Sequence, residues 1–300
     1  MSNNLDTQNK EYQKKIFYEE NLSKYSWFNL GGPAEILFKP DSIEQIKLFI
    51  EENKNKDINI IGAGSNTLIR DGGVKGITLK LSSKFSSIKL IDENIFDVGA
   101  ATLDKKISDF AKNNSVSGFE FLSCIPGSIG GGVRMNSGCY GEEISKILLS
   151  IEVMDQKGNI KLIKKEKINF FYRGCDLPED LIILSVKLKG TLSNKVEIEK
   201  KQEKLMNKKK NDQPTQVKTC GSTFKNFKKQ KAWELIKNSG CDKMQVGQAK
   251  ISEKHCNFFI NNGKTNSKEI EELISKVKNQ VFDKTGINLE LEIKIIGFNK

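Results

Sequence analysis

The sequence predicts an α+β fold, in which amphipathic helices and short strands alternate irregularly along 300 residues. Apolar residues at helical spacing indicate the helices, most clearly over Ser267–Thr285, and short apolar runs indicate the strands. A densely charged run over residues 193–210 separates a long N-terminal part from a shorter C-terminal one. We therefore expect two domains joined near residue 193.

In the N-terminal part, strands are predicted between turns and helices where the apolar spacing is close to 3.6 residues. Pro40-Asp41-Ser42 is placed to open the first helix, and Gln156-Lys157-Gly158 is placed to turn a hairpin. The predicted helices cover residues 43–56 and 102–113, and the predicted strands cover residues 58–61, 78–81, 87–91, 95–98, 147–154, 160–163 and 181–188.

In the C-terminal part, helices are predicted over residues 193–210, Ala232–Asn238 and Ser267–Thr285, the last one capped by Gly286. The chain closes with a predicted strand over residues 287–295, whose apolar and charged residues alternate. The expected organisation is a loosely held segment over residues 1–20, one domain over residues 21–192 and another over residues 193–300.

The composition excludes several classes of partner for this protein. The net charge is +11, but only three of the 49 basic residues are arginine, and base recognition favours arginine, so we expect no nucleic-acid partner. No stretch approaches the roughly 20 apolar residues of a membrane span, and the N-terminus lacks an apolar secretory segment, so we expect a cytoplasmic protein with no membrane partner. The six cysteines form no CxxC pair, so reduced thiols and no metal site are expected.

Two glycine-rich segments carry the main chemical signal. Residues 125–141 hold six glycines in seventeen residues, and residues 60–73 have the same character. Glycine lets the backbone approach a ligand closely, and successive backbone N–H groups bind phosphate oxygens. GAGSNT lacks the third glycine of a dinucleotide fingerprint and precedes a strand, which argues against a Rossmann fold. Alone, the GAGSNT segment is as typical of a tight turn as of a ligand-binding loop. Together with residues 125–141 it indicates one phosphate-bearing ligand, and hence a cofactor enzyme.

The scarcity of arginine makes Arg70, Arg134 and Arg173 candidates for work that needs a planar guanidinium, with an ordinary surface position as the alternative. The segment Cys220-Gly221-Ser222-Thr223-Phe224-Lys225-Asn226 is polar, and alone it is more typical of a turn than of a site. Ser222 has no nucleophile-elbow pattern around it, and the only histidine, His255, is far away in sequence, so a hydrolase triad is not expected.

Taken together, these segments resemble the UDP-N-acetylenolpyruvoylglucosamine reductase family. The matching motifs, in order, are IIGAGSNTLIRDGG, IPGSIGGGVRMNSGCYG, Tyr172-Arg173, CGSTFKN, SEKHCNFFINNG and LELEIKIIG. The resemblance runs from about Trp27 to Gly297, and the short distance between Tyr172 and Ser222 indicates the shorter, type II class.

The resemblance implies a two-subdomain FAD-binding unit of the vanillyl-alcohol-oxidase (PCMH) type, followed by an α+β substrate-binding domain. It implies non-covalent FAD, NADPH as co-substrate, a monomer, and reduction of UDP-N-acetylglucosamine enolpyruvate to UDP-N-acetylmuramate for peptidoglycan. The implied FAD-binding residues are Gly62, Ala63, Gly64, Ser65, Asn66, Pro126, Gly127, Ser128, Gly131, Gly132, Asn136 and Gly138.

The resemblance also implies catalytic roles. Arg173 would bind and polarise the enolpyruvyl carboxylate, Ser222 would give a proton to C2, and Glu292 would assist as a protonated acid. The implied substrate-binding residues are Tyr172, Lys225 and Asn226. Without the resemblance, Glu292 would be an ordinary solvated strand residue.

Phe227 and Cys175 depart from the family pattern, where a proline and a serine are usual, so the local loop geometry there is open. Two other functions are kept as alternatives. A flavin oxidase of the same fold would react with oxygen and ignore UDP-linked substrates, and a polyanion-binding protein would be colourless and bind DNA in a salt-dependent way.

Overall fold

The longer helices lie close to where the sequence predicts them. The computed structural model describes residues 11–54 and 56–300. Its α-helices are α1 (Ile43–Glu52), α2 (Asp104–Asn113), α3 (Ile129–Arg134), α4 (Ile144–Ile147), α5 (Lys195–Asp212), α6 (Ala232–Asn238) and α7 (Ser267–Thr285). Short 3₁₀ helices cover Leu22–Tyr25, Ser83–Phe85, Glu120–Cys124 and Lys165–Lys167.

The strands are mostly short. They are β1 (Ile16–Asn21), β2 (Pro33–Phe38), β3 (Ile58–Ile60), β4 (Thr67–Ile69), β5 (Val74–Leu79), β6 (Ile88–Asp92), β7 (Ile95–Gly99), β8 (Val116–Ser117), β9 (Gly138–Cys139), β10 (Glu142–Glu143), β11 (Leu148–Met154), β12 (Ile160–Lys164), β13 (Phe170–Phe171), β14 (Gly174–Cys175), β15 (Ile182–Lys189), β16 (Thr191–Leu192), β17 (Gln245–Val246), β18 (Ala249–Ile251), β19 (Phe259–Asn261) and β20 (Lys294–Ile296).

The chain divides into two compact units that are not continuous in sequence. The first unit comprises residues up to Tyr18 together with Ile36–Ala63 and Gly76–Lys208, and the second comprises Glu19–Glu35, Gly64–Lys75 and Lys209–Lys300. The predicted boundary at residue 193 stays a prediction; helix α5 begins close to it.

The first unit has two hydrophobic cores. One core lies around the antiparallel sheet β12–β11–β15–β7–β6 and helix α2, with Phe96, Ile151 and Val186 fully buried. The other lies around helix α1 and includes Phe38 and Phe49, whose rings stack at 3.9 Å. Removal of apolar side chains from water is the main force that stabilises each of these cores.

The second unit has one core, centred on helix α7. Ile270, Leu273 and Val277 lie on its buried face and pack with residues of α6 and of the sheet β17–β18–β19. The side chain of Asn266 accepts a hydrogen bond from the N–H of Glu269 at 2.9 Å, and Gly286 ends the helix with a φ of +71°. The predicted start, end and C-cap of this helix are therefore confirmed.

Most predicted elements are confirmed, including the hairpin of β11 and β12, in which Met154 pairs with Ile160. Strand β5 begins earlier than predicted, at Val74, and its residues 77–79 pair in parallel with β3. The final strand is shorter than predicted and is regular only over Lys294–Ile296. The prediction for residues 287–293 was wrong because the backbone bends at Glu292, where Phe224 pairs with Leu291 only as an isolated bridge.

The prediction of a loosely held segment over residues 1–20 needs a correction from residue 11 onward. Residues 1–10 lie outside the described part of the chain. Tyr12 is buried, and its hydroxyl donates a hydrogen bond to the carboxylate of Glu52. Residues 16–21 then form strand β1. Their order follows from this anchoring in a core, which a polar sequence without periodicity does not reveal.

Candidate active site

The predicted site residues are distributed over both units. In the first unit lie Gly62, Ala63, Pro126, Gly127, Ser128, Gly131, Gly132, Asn136, Gly138, Tyr172 and Arg173; in the second lie Gly64, Ser65, Asn66, Ser222, Lys225, Asn226 and Glu292.

The two glycine-rich segments meet within the first unit. A methyl group on Gly62 would lie 3.0 Å from Ser128 Oγ and 3.9 Å from the Cα of Gly131. The segment at Gly62 follows strand β3 and leads into strand β4 without a helix, which confirms the argument against a Rossmann fingerprint. The contact supports the expectation that the two segments bind one ligand from two sides.

The second segment contains a short helix, α3, that the sequence analysis missed. Its first two N–H groups, of Ile129 and Gly130, donate to the carbonyls of Thr102 and Ala100 at 2.9 and 3.0 Å. These two hydrogen bonds fix the start of helix α3 to the turn that precedes helix α2. Glycine spacing alone does not distinguish this helix from a loop, since glycine disfavours helix and only the tertiary contacts stabilise it.

The glycines of helix α3 have different surroundings. A methyl group on Gly130 would lie 3.0 Å from the Cβ of Ala100, and one on Gly132 would lie 2.5 Å from Cδ1 of Ile144. Gly131 is exposed, and a methyl group there would meet only Ser128 Oγ at 3.9 Å. Gly130 and Gly132 are therefore needed for packing, whereas Gly131 leaves open backbone for a ligand. This open cradle fits a pyrophosphate.

A buried carboxyl group lies beside this segment and was not found from the sequence. Asp104 is fully buried, and neither of its carboxyl oxygens has a hydrogen-bond partner among the described residues. Burial raises the pKa of Asp104 to about 8, so the group is neutral at pH 7. Its own N–H donates to the carbonyl of Gly127 at 3.1 Å. An acidic residue in the first turn of a helix ordinarily lies in solvent, where it interacts favourably with the helix dipole. The sequence therefore gives no sign that Asp104 is buried.

Tyr172 and Arg173 form the two-residue turn of a hairpin between β13 and β14. Phe171 pairs with Gly174 across the turn, and Arg173 has a φ of +58°. The Arg173 guanidinium donates to the carbonyl of Gly138 at 2.8 Å and lies 4.9 Å from the centre of the Tyr172 ring. A guanidinium held by a carbonyl and an aromatic face keeps a defined orientation. This orientation supports its predicted role as a carboxylate ligand.

Asn136 supports the same hairpin. Its side-chain amide donates to the carbonyl of Phe171 at 3.2 Å, and its side-chain oxygen accepts from the N–H of Ser145 at 3.0 Å. Cys175, one of the two departures from the family pattern, directs its thiol to the carbonyl of Arg134 at 3.5 Å. Burial raises the pKa of the Cys175 thiol, so it remains protonated. The first unit therefore holds a protonated cysteine at this position, with its thiol hydrogen-bonded.

Arg70 and Arg134, the two arginines of the glycine segments, bind protein groups. Arg70 makes a bidentate pair with Glu271 at 2.8 and 2.7 Å and donates to the carbonyl of Gly297 at 3.1 Å. Arg134 donates to the carbonyls of Pro178 and Leu181, the former at 2.9 Å. Both use the planar guanidinium, as expected, but for internal links.

In the second unit, the Ser222 segment lies beside residues 290–293, which lead into strand β20. Ser222 pairs with Phe258 in an isolated bridge, and the carbonyl of Thr223 accepts from the N–H of Glu292 at 2.8 Å. The side-chain amide of Asn66 donates to the carbonyl of Glu292, also at 2.8 Å. Ser222 and Glu292 are both half-buried. The structure thus brings three predicted residues of this unit onto adjoining stretches of backbone.

Lys225 and Asn226 lie at the end of the same segment. The Lys225 ammonium is 3.6 Å from the exposed carboxylate of Glu290. The side-chain oxygen of Asn226 accepts from the N–H of Ala232 at 2.9 Å, at the start of helix α6. Asn226 therefore has a structural role that the sequence analysis did not assign to it. Phe227, the second departure, is partly exposed and pairs with Gln230 through the backbone.

His255 and the cysteines take no part in a catalytic pair. His255 lies 4.7 Å from the ring of Phe258 and 6.2 Å from that of Trp233, and burial lowers its pKa. Burial raises the pKa of the Cys220 thiol to about 12. All six cysteines are free thiols, and over residues 11–54 and 56–300 no cluster of candidate metal ligands is found.

The comparisons with known proteins agree with this geometry. Residues 34–163 match the FAD binding domain model, so the chain is of the flavoprotein class. Residues 213–296 match the C-terminal domain model of UDP-N-acetylenolpyruvoylglucosamine reductase. The reductase of that name from Pelagibacter ubique (strain HTCC1062) is 47% identical over 95% of this chain and 96% of its own length. The one from Rickettsia bellii (strain RML369-C) is 44% identical over 98% of this chain and 96% of its own.

A solved structure gives the same result. The crystal structure of the UDP-N-acetylenolpyruvylglucosamine reductase from Thermus caldophilus has a TM-score of 0.82 and 31% identity, covering 94% of this chain and 98% of its own. The chain belongs to the UDP-N-acetylenolpyruvoylglucosamine reductase family. The predicted α+β fold class, an FAD-binding unit with a C-terminal domain, is confirmed. Among the helices of the described residues, none has the length and apolar character of a membrane span.

Proposed function

We propose that the protein catalyses the NADPH-dependent, FAD-mediated reduction of UDP-N-acetylglucosamine enolpyruvate to UDP-N-acetylmuramate, a step of peptidoglycan precursor synthesis. The observation that carries the proposal is the 47% identity to a reductase of this name over nearly the full length of both chains. The contact between the two glycine segments supports it, since open backbone at Gly131 beside Gly62 suits a pyrophosphate.

Bound FAD would supply a ring system able to accept a hydride from NADPH and to deliver it to C3 of the enolpyruvyl group. The residues Gly62–Asn66 and Gly127–Gly132 would contact the FAD pyrophosphate. The N–H groups of Ile129, Gly130 and Gly132 donate to protein carbonyls, so the remaining N–H groups of these segments would bind its oxygens. No covalent link is proposed: His255 is packed between aromatic rings, and the Cys220 thiol is buried. Release of the flavin by acid precipitation of the protein checks this.

The side chains then handle charge and protons. Arg173 binds the enolpyruvyl carboxylate and stabilises the negative charge that develops there, because its guanidinium is planar and oriented by Gly138. Ser222 donates a proton to C2, and Glu292, protonated, stabilises the enolate character as it forms. Tyr172 orients Arg173, and Lys225 and Asn226 contact the UDP-sugar. We further propose a cytoplasmic monomer.

The test is a comparison of purified protein under two conditions. A flavin absorbance spectrum is recorded, and NADPH oxidation is followed with and without UDP-N-acetylglucosamine enolpyruvate. The proposal predicts a yellow protein whose NADPH oxidation depends on the sugar nucleotide. Oxidation that depends on oxygen and ignores the sugar nucleotide would indicate a flavin oxidase instead. A colourless protein that retains DNA at low salt would indicate a polyanion-binding protein.

A further inference from the structure

Lys80 is a charged residue beside the first glycine segment to which no role has been given. It follows strand β5, where its backbone N–H donates to the carbonyl of Phe38 at 2.9 Å. Its ammonium donates a hydrogen bond to the carbonyl oxygen of Gly62. The neighbouring N–H of Ile61 donates to the carbonyl of Leu79 at 3.0 Å, so both chains are fixed at this point. Lys80 therefore contacts the glycine segment directly and from one defined side.

The contact has a consequence for the next N–H group. The carbonyl of Gly62 and the N–H of Ala63 belong to one planar, trans peptide unit, so they point in opposite directions. An ammonium that holds the carbonyl therefore turns the N–H of Ala63 away from Lys80. It also polarises the peptide, which makes that N–H a stronger hydrogen-bond donor.

The ammonium of Lys80 contacts the first glycine segment at Gly62, whereas Arg70 and Arg134 have their guanidinium groups on other protein acceptors. Burial, together with the charge of Lys39, lowers the pKa of Lys80 to about 8. With a pKa of about 8 the ammonium remains mostly protonated at pH 7, so it keeps its positive charge beside the loop. The arrangement suits a loop that receives a phosphate-bearing ligand.

We infer that Lys80 is a positioning residue for the FAD pyrophosphate, which it serves by fixing the Gly62–Ala63 peptide with its N–H toward the phosphate and by adding a positive charge behind the loop. This inference rests on the proposed function, since it assumes that the two glycine segments bind FAD. It assigns Lys80 no contact with the reacting atoms.

The test measures FAD binding rather than activity. Flavin-free protein is prepared for the wild type and for Lys80→Met, Lys80→Arg and Lys39→Met, and the dissociation constant for FAD is measured by quenching of flavin fluorescence. Because a hydrogen bond to a charged group contributes about 1.5–3 kcal/mol, Lys80→Met is expected to weaken FAD binding by about 10- to 100-fold. Lys80→Arg retains the charge and the donor and should stay within about threefold of the wild type.

Two controls separate positioning from stability and from general charge. Lys39→Met removes a neighbouring positive charge and should change FAD affinity by less than about threefold. The melting temperature of flavin-free Lys80→Met should remain near that of the flavin-free wild type, and the salt dependence of its FAD affinity should be weaker.

The outcomes are distinct. Unchanged FAD affinity in Lys80→Met, or an equal loss in Lys39→Met, overturns the role of Lys80 while the proposed function stands. Failure of Lys80→Arg to restore binding likewise overturns it. A wild type that does not bind FAD at all overturns the proposed function together with this inference.

Discussion

Replacing Asp104 by asparagine should change how stability depends on pH. Among the described residues this carboxyl has no hydrogen-bond partner, and burial raises its pKa to about 8 from the ordinary value of 3.8. Between these two pH values the unfolded chain loses the proton and the folded protein keeps it, so the free energy of unfolding falls as pH rises. The stabilising effect of low pH is complete below about 4 and is lost progressively up to about 8.

The magnitude follows from the pKa difference. Each pH unit in this window corresponds to about 1.4 kcal/mol, so wild-type protein loses up to about 4 kcal/mol from this group between pH 4 and pH 7. Asparagine has the same shape and no proton to lose. The free energy of unfolding of Asp104→Asn relative to wild type should therefore rise by about 1.4 kcal/mol per pH unit, and level off above about pH 8.

The assay is thermal or urea unfolding of the two proteins at several pH values from 5 to about 9. The exposed Asp283 on helix α7 provides the matched control, and Asp283→Asn should track the wild type at every pH. A stability difference between Asp104→Asn and wild type that does not change with pH would refute the reasoning, because it would mean that Asp104 is ionised in the folded protein.

Three further predictions concern the active site. Ser222→Ala should leave flavin reduction by NADPH intact and slow product formation by about 10²- to 10⁴-fold, with Glu292→Gln behaving similarly; stopped-flow measurement of the two half-reactions checks this, and equal loss in both contradicts it. Gly131→Ala should weaken FAD binding by at least about tenfold, or about 1.4 kcal/mol, and leave the flavin-free protein as stable as wild type, whereas Gly130→Ala should lower its melting temperature because of the contact with Ala100. Arg173→Lys should lower kcat/KM for the sugar nucleotide by about 10- to 100-fold with flavin reduction unchanged, since lysine lacks the planar fork; wild-type kinetics would remove Arg173 from carboxylate binding.

The sequence predicted the long elements well where local signals agree. Helix α7 combines apolar residues at helical spacing with Gly286 as its C-cap, and each of these signals acts within a few residues. The end of the chain shows the limit of such signals. Its alternation predicts a continuous strand, but a contact to Thr223, distant in sequence, bends the backbone at Glu292.

The candidate site was predictable as a set of motifs and not as a set of contacts. Two glycine-rich segments indicate a phosphate ligand from composition alone, and their meeting at Gly62 and Gly131 requires the fold. Asp104 and Lys80 were missed because burial of a charged residue has no local signature. The contact of Asn226 with the substrate stays a prediction, and nothing in a short polar segment shows that its side chain also accepts from the N–H of Ala232 in helix α6.

Reduction of a UDP-linked enolpyruvyl sugar through FAD can be tested by anaerobic incubation of the yellow holoenzyme with NADPH and UDP-N-acetylglucosamine enolpyruvate. The sugar nucleotide is then analysed by mass spectrometry. We expect a product with two additional hydrogen atoms, formed in equal amount to the NADPH consumed. An unchanged sugar nucleotide, from a holoenzyme whose flavin is nevertheless reduced by NADPH, would show that the protein does not catalyse this reaction.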